Sequence, residues 1–420
     1  MKILWNLYIK HKETTHNFFW RNVQILSKGG VFFLIFIISA KFLSPERFGI
    51  LNYLLAVLAL FIIFCDFGLS TATSKYVAEF KTLDPEKVNK TLFSVSAPVI
   101  CISSVIALLV ILFGKHVFRE NHTYLLMFLP YLFLVPLTST LDGFHRGLKK
   151  FRRLGVIHLV IGILTFFISF FLIKNYLLPG AILSLNILYF LLTSCLYFSA
   201  KGTEFILDRD ILKKIGKYAL LIGLANISYF MYTRIDILIM KQFNYTVEIG
   251  YYGLIDKLFG MIFIPAVILG QVLAPNIARY AALRDFSSIK IKFTKYFYPI
   301  LGLSIPFSLA IYMIFPAFLK TFLPQYYTLT FLSIFKILLL LLPFKIWGAF
   351  SVNGFITPAG FAKIITLWTS IGGVLNIILD YIFIRIFGFI GVFLVTLIIH
   401  SCVIFISTLI FYRKIRSIRS

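Results

Sequence analysis

Acidic residues are scarce: 16 Asp and Glu stand among 420 residues, and all charged residues together make up 14% of the chain. Soluble domains carry about 25% charged residues, so there is too little polar surface here to cover a water-soluble protein of this size. Cysteine is nearly absent as well. Cys65, Cys101, Cys195 and Cys402 each lie in an apolar run, with no CxxC and no Cys/His cluster at metal spacing. That pattern argues against a disulfide framework or a zinc site and leaves four small apolar side chains. No HExxH or nucleophile elbow occurs. Asp208-Arg209-Asp210 has the DxD form that holds a metal in nucleotide-sugar transferases, but it occupies a short connection and reads as an acidic helix N-terminus. The expectation is a protein that is not an enzyme and carries no metal or cofactor.

What is abundant is apolar: 60% of the residues are hydrophobic, with 48 Phe and 22 Tyr, and long Leu/Ile/Val runs. A hydrocarbon solvent explains this. A spanning helix needs about 20 apolar residues, and twelve such stretches lie near 22–42, 50–74, 91–114, 123–145, 154–174, 178–200, 215–240, 250–275, 293–317, 326–352, 361–384 and 389–412. The segment before the first has no signal-peptide pattern.

The net charge of +25 follows from topology rather than from nucleic acid. Of 41 Lys and Arg, 29 fall in the termini and one set of alternate loops, 8 in the other set and 4 within spans. The asymmetry places both termini in the cytoplasm of a multi-pass plasma-membrane protein.

The chain also repeats itself. Leu141-Asp142-Gly143-Phe144 matches Val352-Asn353-Gly354-Phe355 at an offset of 211, which also carries Gly162 onto Gly373 and Gly180 onto Gly391. Arg47-Phe48-Gly49 matches Glu248-Ile249-Gly250 at an offset of 201. Six spans per half preserve orientation, so the repeat is parallel. The fold class expected is all-α: twelve transmembrane helices in two six-helix lobes, 1–205 and 206–420, related by a pseudo-two-fold. Seven prolines within spans fit either flexing joints or plain kinks.

Charge inside the bilayer costs roughly 2.5–3.5 kcal/mol per residue on insertion scales, so each such group needs a partner or water. The candidates are Asp66, Arg234, Asp236, Asp256, Lys257, Lys336, Lys345 and Asp380. Arg234 and Asp256 lie at equal distance from the turn near Tyr245, so they match in depth; Asp236 and Lys257 nearly do. These read as ion pairs clamping a hairpin, or as groups that bind a coupling cation. Lys336 and Lys345 lie nine residues apart, on opposite faces of a straight helix. Lys345 is expected to snorkel toward headgroups and Lys336 to face a cavity. Asp66 matches Lys28 in depth, which fits a pair or a solvated cavity position. Asp380 reads as an interface residue.

These residues bring a family into view. Leu43-Ser44-Pro45-Glu46-Arg47-Phe48-Gly49, Asp66-Phe67-Gly68-Leu69-Ser70 and Ala78-Glu79 resemble the opening of Wzx-like polysaccharide-biosynthesis and O-antigen flippases, of the multidrug/oligosaccharidyl-lipid/polysaccharide superfamily. Arg234-Ile235-Asp236, Ile249-Gly250-Tyr251-Tyr252, Pro275, Asn376, Asp380 and Gly388-Phe389-Ile390-Gly391-Val392 continue the resemblance to the end. It implies alternating-access translocation of a polyprenyl-diphosphate-linked oligosaccharide from the cytoplasmic to the outer leaflet, coupled to H+ or Na+. Implied partners are the lipid-linked oligosaccharide, the bilayer, a polysaccharide polymerase and glycosyltransferases. On this reading Arg234, Lys336 and Lys345 suit the diphosphate, while Asp66, Asp236, Asp256, Lys257 and Asp380 serve ion coupling or structural pairs. A cation-coupled drug exporter of the same superfamily would share the fold. A membrane polymerase or ligase would need a large external loop, and every connection here is short.

Overall fold

A computed structural model describes residues 2–200 and 202–417, with side chains from residue 16 onward except residue 18. Lys201 and Arg419, and the side chains of Lys2, Lys10 and Lys12, all counted in the basic asymmetry, lie outside what is described. Among the described residues every regular element is a helix.

The helices are α1 (Lys2–Phe42), α2 (Pro45–Asp66), α3 (Leu69–Leu83), α4 (Pro85–Phe118), α5 (His122–Met127), α6 (Leu129–Gly147) and α7 (Phe151–Ser199). They continue with α8 (Arg209–Thr233), α9 (Ile235–Gln242), α10 (Thr246–Ala282), α11 (Phe286–Phe322), α12 (Leu329–Ser351), α13 (Ala362–Phe387) and α14 (Phe389–Ser417). Twelve crossings result: α2 with α3, α5 with α6, and α8 with α9 each make one, while α7 makes two. Leu177, at φ 52° and ψ −123°, breaks α7 where the fifth and sixth apolar stretches meet. Nine helical segments among the described residues are long and apolar enough to cross a membrane by themselves. Neither α6 nor α8–α9 is among the nine: prolines, hydroxyls and the Asp142–Arg146 end dilute the apolarity of α6, the first turns of α8 are basic, and the break at Arg234 leaves α9 only 8 residues long.

Local chemistry explains the breaks. Between α2 and α3, Phe67 and Gly68 take positive φ of 37° and 81°. Asp66 then caps α3: its carboxylate accepts from the Gly68 N–H at 3.2 Å, and from the N–H and hydroxyl of Ser70, both at 3.0 Å. These are helix-start donors that would otherwise lack partners. Asp208 does the same for α8, accepting from the Asp210 and Ile211 N–H groups at 3.0 and 3.1 Å, so the DxD motif is a cap.

The chain forms two compact units: Met1–Leu43 with Val57–Ile227, and Ser44–Ala56 with Ser228–Ser420. This differs from a boundary at 205/206. The first two-thirds of α8 pack with α3, through Lys214 on Glu79 at 2.7 Å and Tyr218 edge-on to Tyr76 at 6.1 Å. The start of α2 packs with α10 instead.

In the first unit α1 runs along α7, and α6 packs on α3, α4 and α7. In the second, α12 packs on α10, α11 and α14, and α13 on α14. Aromatic rings dominate the second core, where Phe293 meets Trp347, Phe355 and Phe411 at 5.2–5.3 Å between centroids.

The glycine repeat recurs as contacts. A Cβ on Gly180 would sit 2.0 Å from the Leu172 carbonyl oxygen, and one on Gly391 would sit 2.2 Å from that of Phe383. Both partners stand at the same offset of 211 as the glycines. Gly143 abuts Ser70 and Gly354 abuts Gly270; Gly162 abuts Val31 and Gly373 abuts Met231. Gly49 faces Thr246 and Gly250 faces Pro45, one contact made twice with its partners exchanged. Small residues at these crossings let membrane helices approach closely without a hydrophobic driving force.

Candidate functional site

The α9–α10 hairpin turns at Asn244, which takes the left-handed φ of 63° common for asparagine. The turn returns Asp256 to the depth of Arg234, and the expected clamp forms, Arg234 Nη1 lying 3.3 Å from Asp256 Oδ2. The second pair differs from expectation. Lys257 Nζ donates to Asp256 Oδ2 at 3.1 Å rather than reaching Asp236. Asp236, only 2% exposed, accepts from the Ile237 N–H at 3.1 Å and faces the Tyr252 hydroxyl. Asp256 thus gathers two cations, and Asp236 is held by neutral donors.

Around this hairpin α12, α13 and α14 add further polar groups. Lys345 lies within electrostatic range of both Asp256 and Asp236. On α12, Lys345 turns into the acidic cluster, while Lys336 lies exposed, 6.0 Å from the Tyr312 ring on α11. Their opposite faces follow from helical geometry; which face is polar depended on acidic residues from other helices.

Asp380 is fully buried, with Asn376 one turn before it and Asp236 within electrostatic range. Asn376 Nδ2 donates to Asp380 Oδ2 at 3.4 Å. The other oxygens, Asp380 Oδ1 and Asn376 Oδ1, are buried without a hydrogen-bond partner. His400 closes the cluster, its Nε2 2.9 Å from the Tyr232 carbonyl oxygen and its ring stacked 4.0 Å from that of Tyr232. Three cations (Arg234, Lys257, Lys345) gather around Asp256 and Asp236 within one unit, while Asp380 has Asn376 and Asp236 as its polar neighbours. In a low-dielectric interior the pairing at Asp256 limits the desolvation cost that unpaired charges would carry.

Asp66 stands apart as a helix cap. Lys28, its depth-matched candidate, pairs instead with Asp142 at 3.3 Å. Lys28 takes Asp142 Oδ2, while Oδ1 accepts from Gln24 Nε2 at 3.2 Å and lies 2.9 Å from His158 Nε2. One buried carboxylate thereby ties α1, α6 and α7 together. Sequence reasoning read Asp142 only as part of the repeat, yet the signal was present. Asp142 and His158 are each eight residues from Lys150 in the turn between their helices, the same symmetry that pairs Arg234 with Asp256.

Comparison with known proteins agrees with this architecture. Residues 14–281 match the polysaccharide biosynthesis protein family. An uncharacterized membrane protein of Methanocaldococcus jannaschii is 27% identical over 392 residues, covering 88% of this chain and 91% of its own. Among solved structures, an inward-facing multidrug resistance MATE family transporter of the MOP superfamily superposes with a TM-score of 0.77 at 14% identity, over 96% of this chain and 98% of its own. The lipid II flippase MurJ in an inward closed conformation gives 0.72 at 17%, over 96% and 87%. At these identities the likeness concerns the twelve-helix, two-lobe fold.

Proposed function

Because the chain belongs to the polysaccharide biosynthesis protein family, we propose that it is a flippase. It moves a polyprenyl-diphosphate-linked oligosaccharide from the cytoplasmic to the outer leaflet for cell-surface polysaccharide synthesis. The observation that carries this reading is the family match on a chain whose fold is that of membrane transporters. Such a chain moves its substrate by alternating access and works beside glycosyltransferases and a polymerase without itself being an enzyme. The basic asymmetry supports a plasma-membrane orientation with both termini cytoplasmic. In a cysteine-free background, Glu204→Cys should then label only from the cytoplasm and Glu120→Cys only from outside; the reverse pattern would invert the topology.

Coupling is assigned to the second unit. Two buried carboxylates in electrostatic range, Asp236 and Asp380, repel unless a proton or Na+ enters between them. The unpartnered oxygens of Asp380 and Asn376 supply oxygen ligands of the kind a hard cation takes.

The test separates flippase from exporter. Cells depleted of the protein should accumulate lipid-linked oligosaccharide and keep their resistance to cationic dyes. Unchanged lipid-linked oligosaccharide with lost dye efflux would establish the drug exporter instead.

A further inference from the structure

The α6–α7 and α12–α13 turns are built alike. The Lys149 and Lys150 N–H groups donate to the Arg146 and His145 carbonyl oxygens at 2.9 and 3.0 Å. With every partner shifted by 211 residues, Gly360 and Phe361 donate to Thr357 and Ile356, both at 3.0 Å. Lys149 and Gly360 both take a left-handed φ, 60° and 88°. Glycine enters that region freely, whereas a residue with a Cβ is disfavoured there. The turn therefore forms without a cation, and the first unit places one there against the preference of its backbone.

The contrast extends along the turn. Lys149, Lys150, Arg152 and Arg153 stand where the second unit has Gly360, Phe361, Lys363 and Ile364. Both turns belong to the same set of alternate loops, so membrane topology alone does not separate them. Another cation comes from α3. A Cβ on Gly147 would sit 2.7 Å from that of Val77, which sets Lys81, one turn further along α3, beside the α6–α7 turn. Lys150 is half-buried, and burial together with the charges of Arg153 and Lys81 holds its ammonium below the usual lysine range. The acidic residues on either side of Lys81 in sequence are taken, Glu79 by Lys214 and Asp84 by Lys87, each at 2.7 Å. Among the described residues no carboxylate forms an ion pair with Lys81, Lys149, Lys150, Arg152 or Arg153.

Arg153 Nη1 donates to the Ser199 carbonyl oxygen at the end of α7, at 2.8 Å. That contact brings the guanidinium next to Tyr197 and Phe198, whose side chains are exposed, and the planar fork keeps other N–H groups for phosphate oxygens. Cations beside exposed aromatic rings at the end of a spanning helix suit a headgroup phosphate on one side and acyl chains on the other. We propose that Lys81, Lys149, Lys150 and Arg153 bind the headgroup phosphate of an anionic phospholipid, with its chains against Tyr197 and Phe198, on the face that the basic asymmetry assigns to the cytoplasm. A free anion would leave the aromatic rings without a role. The lipid is a resident of the leaflet and not the cargo, so this site stands independently of the flippase reading.

The test is binding of fluorescent phosphatidylglycerol and phosphatidylcholine with identical chains to purified full-length protein in detergent micelles at fixed salt. The wild-type protein should prefer phosphatidylglycerol by about fivefold or more. Lys149→Gly combined with Lys150→Gln should bring the preference within about twofold of unity at unchanged monodispersity, because Lys149→Gly installs the residue that the second unit uses in the same turn. Lys149→Arg combined with Lys150→Arg should keep the preference. Lys81→Ala, on a different helix, should lose part of it, which a turn acting only in membrane insertion would not show. Lys290→Gln combined with Lys295→Gln removes two charges from α11 and should leave the preference as it is. A wild-type protein that does not discriminate between the two lipids overturns the site, as does an intact preference in the Lys149→Gly, Lys150→Gln variant. Full displacement of the lipid by inorganic phosphate at millimolar concentration would mark a free-anion site and overturn the lipid as its occupant.

Discussion

Two carboxylates, Asp142 buried and Asp256 half-buried, organise charged side chains of this protein, and they do so differently. Asp256 takes Arg234 and Lys257 on one oxygen, at 3.3 and 3.1 Å, with Lys345 nearby. Asp142 spreads Lys28 and Gln24 from α1 and His158 from α7 over its two oxygens. Removing one member of a buried network leaves the others uncompensated, whereas an exposed lysine over a tyrosine ring contributes little. Lys345→Gln should therefore lower stability on the order of 1–3 kcal/mol and reduce transport, while Lys336→Gln should stay within about 0.5 kcal/mol. Thermal unfolding in detergent and transport at matched protein level decide; the opposite ranking would return Lys336 to the mechanism. The Arg234–Asp256 pair was legible because both residues flank one short turn. Lys345 was not, since its acidic neighbours come from α9 and α10, and Asp66 was not, since its partners are backbone N–H groups.

At the scale of elements, the apolar runs of the sequence mark twelve crossings, two of them in α7 on either side of Leu177, although α6 and α8–α9 are less apolar than the rest. They do not mark the breaks at Phe67–Gly68 and Arg234, because averaging over about 20 apolar residues hides a change of one or two dihedrals. Nor do they mark the π-helical turn Val352–Ile356 that continues α12. The repeated glycines were visible as spacing, and the structure supplies their reason: at Gly180 and Gly391 the neighbouring backbone leaves no room for a Cβ. Gly180→Ala and Gly391→Ala should each destabilise by about 1–3 kcal/mol. Gly216→Ala, in α8 with open space around it, should be neutral or stabilising by up to about 1 kcal/mol. The comparison is a thermal unfolding midpoint for each variant. Equal midpoints for Gly180→Ala and Gly216→Ala would mean that close helix approach does not stabilise the hairpin.

For the whole molecule, the repeat is one of architecture and not of charge. The two units reuse the same crossings at offsets of 200 to 211, yet the first centres its buried polar contacts on Asp142 and the second on Asp236, Asp256 and Asp380, with two unpartnered oxygens. Fold and family were legible in the sequence because hydrophobic runs and ordered short motifs persist along the whole chain. The division of charge was not, because Lys28, Asp142 and His158 lie 16 to 130 residues apart and meet only when α1, α6 and α7 pack. The most direct test of the central claim is the leaflet distribution of a polyprenyl-diphosphate-linked oligosaccharide in proteoliposomes, with and without a proton or sodium gradient. The account predicts that the wild-type protein moves substrate between leaflets in a gradient-dependent way, and that Asp380→Asn at equal protein content loses the gradient dependence. A leaflet distribution identical to that of protein-free vesicles would contradict it.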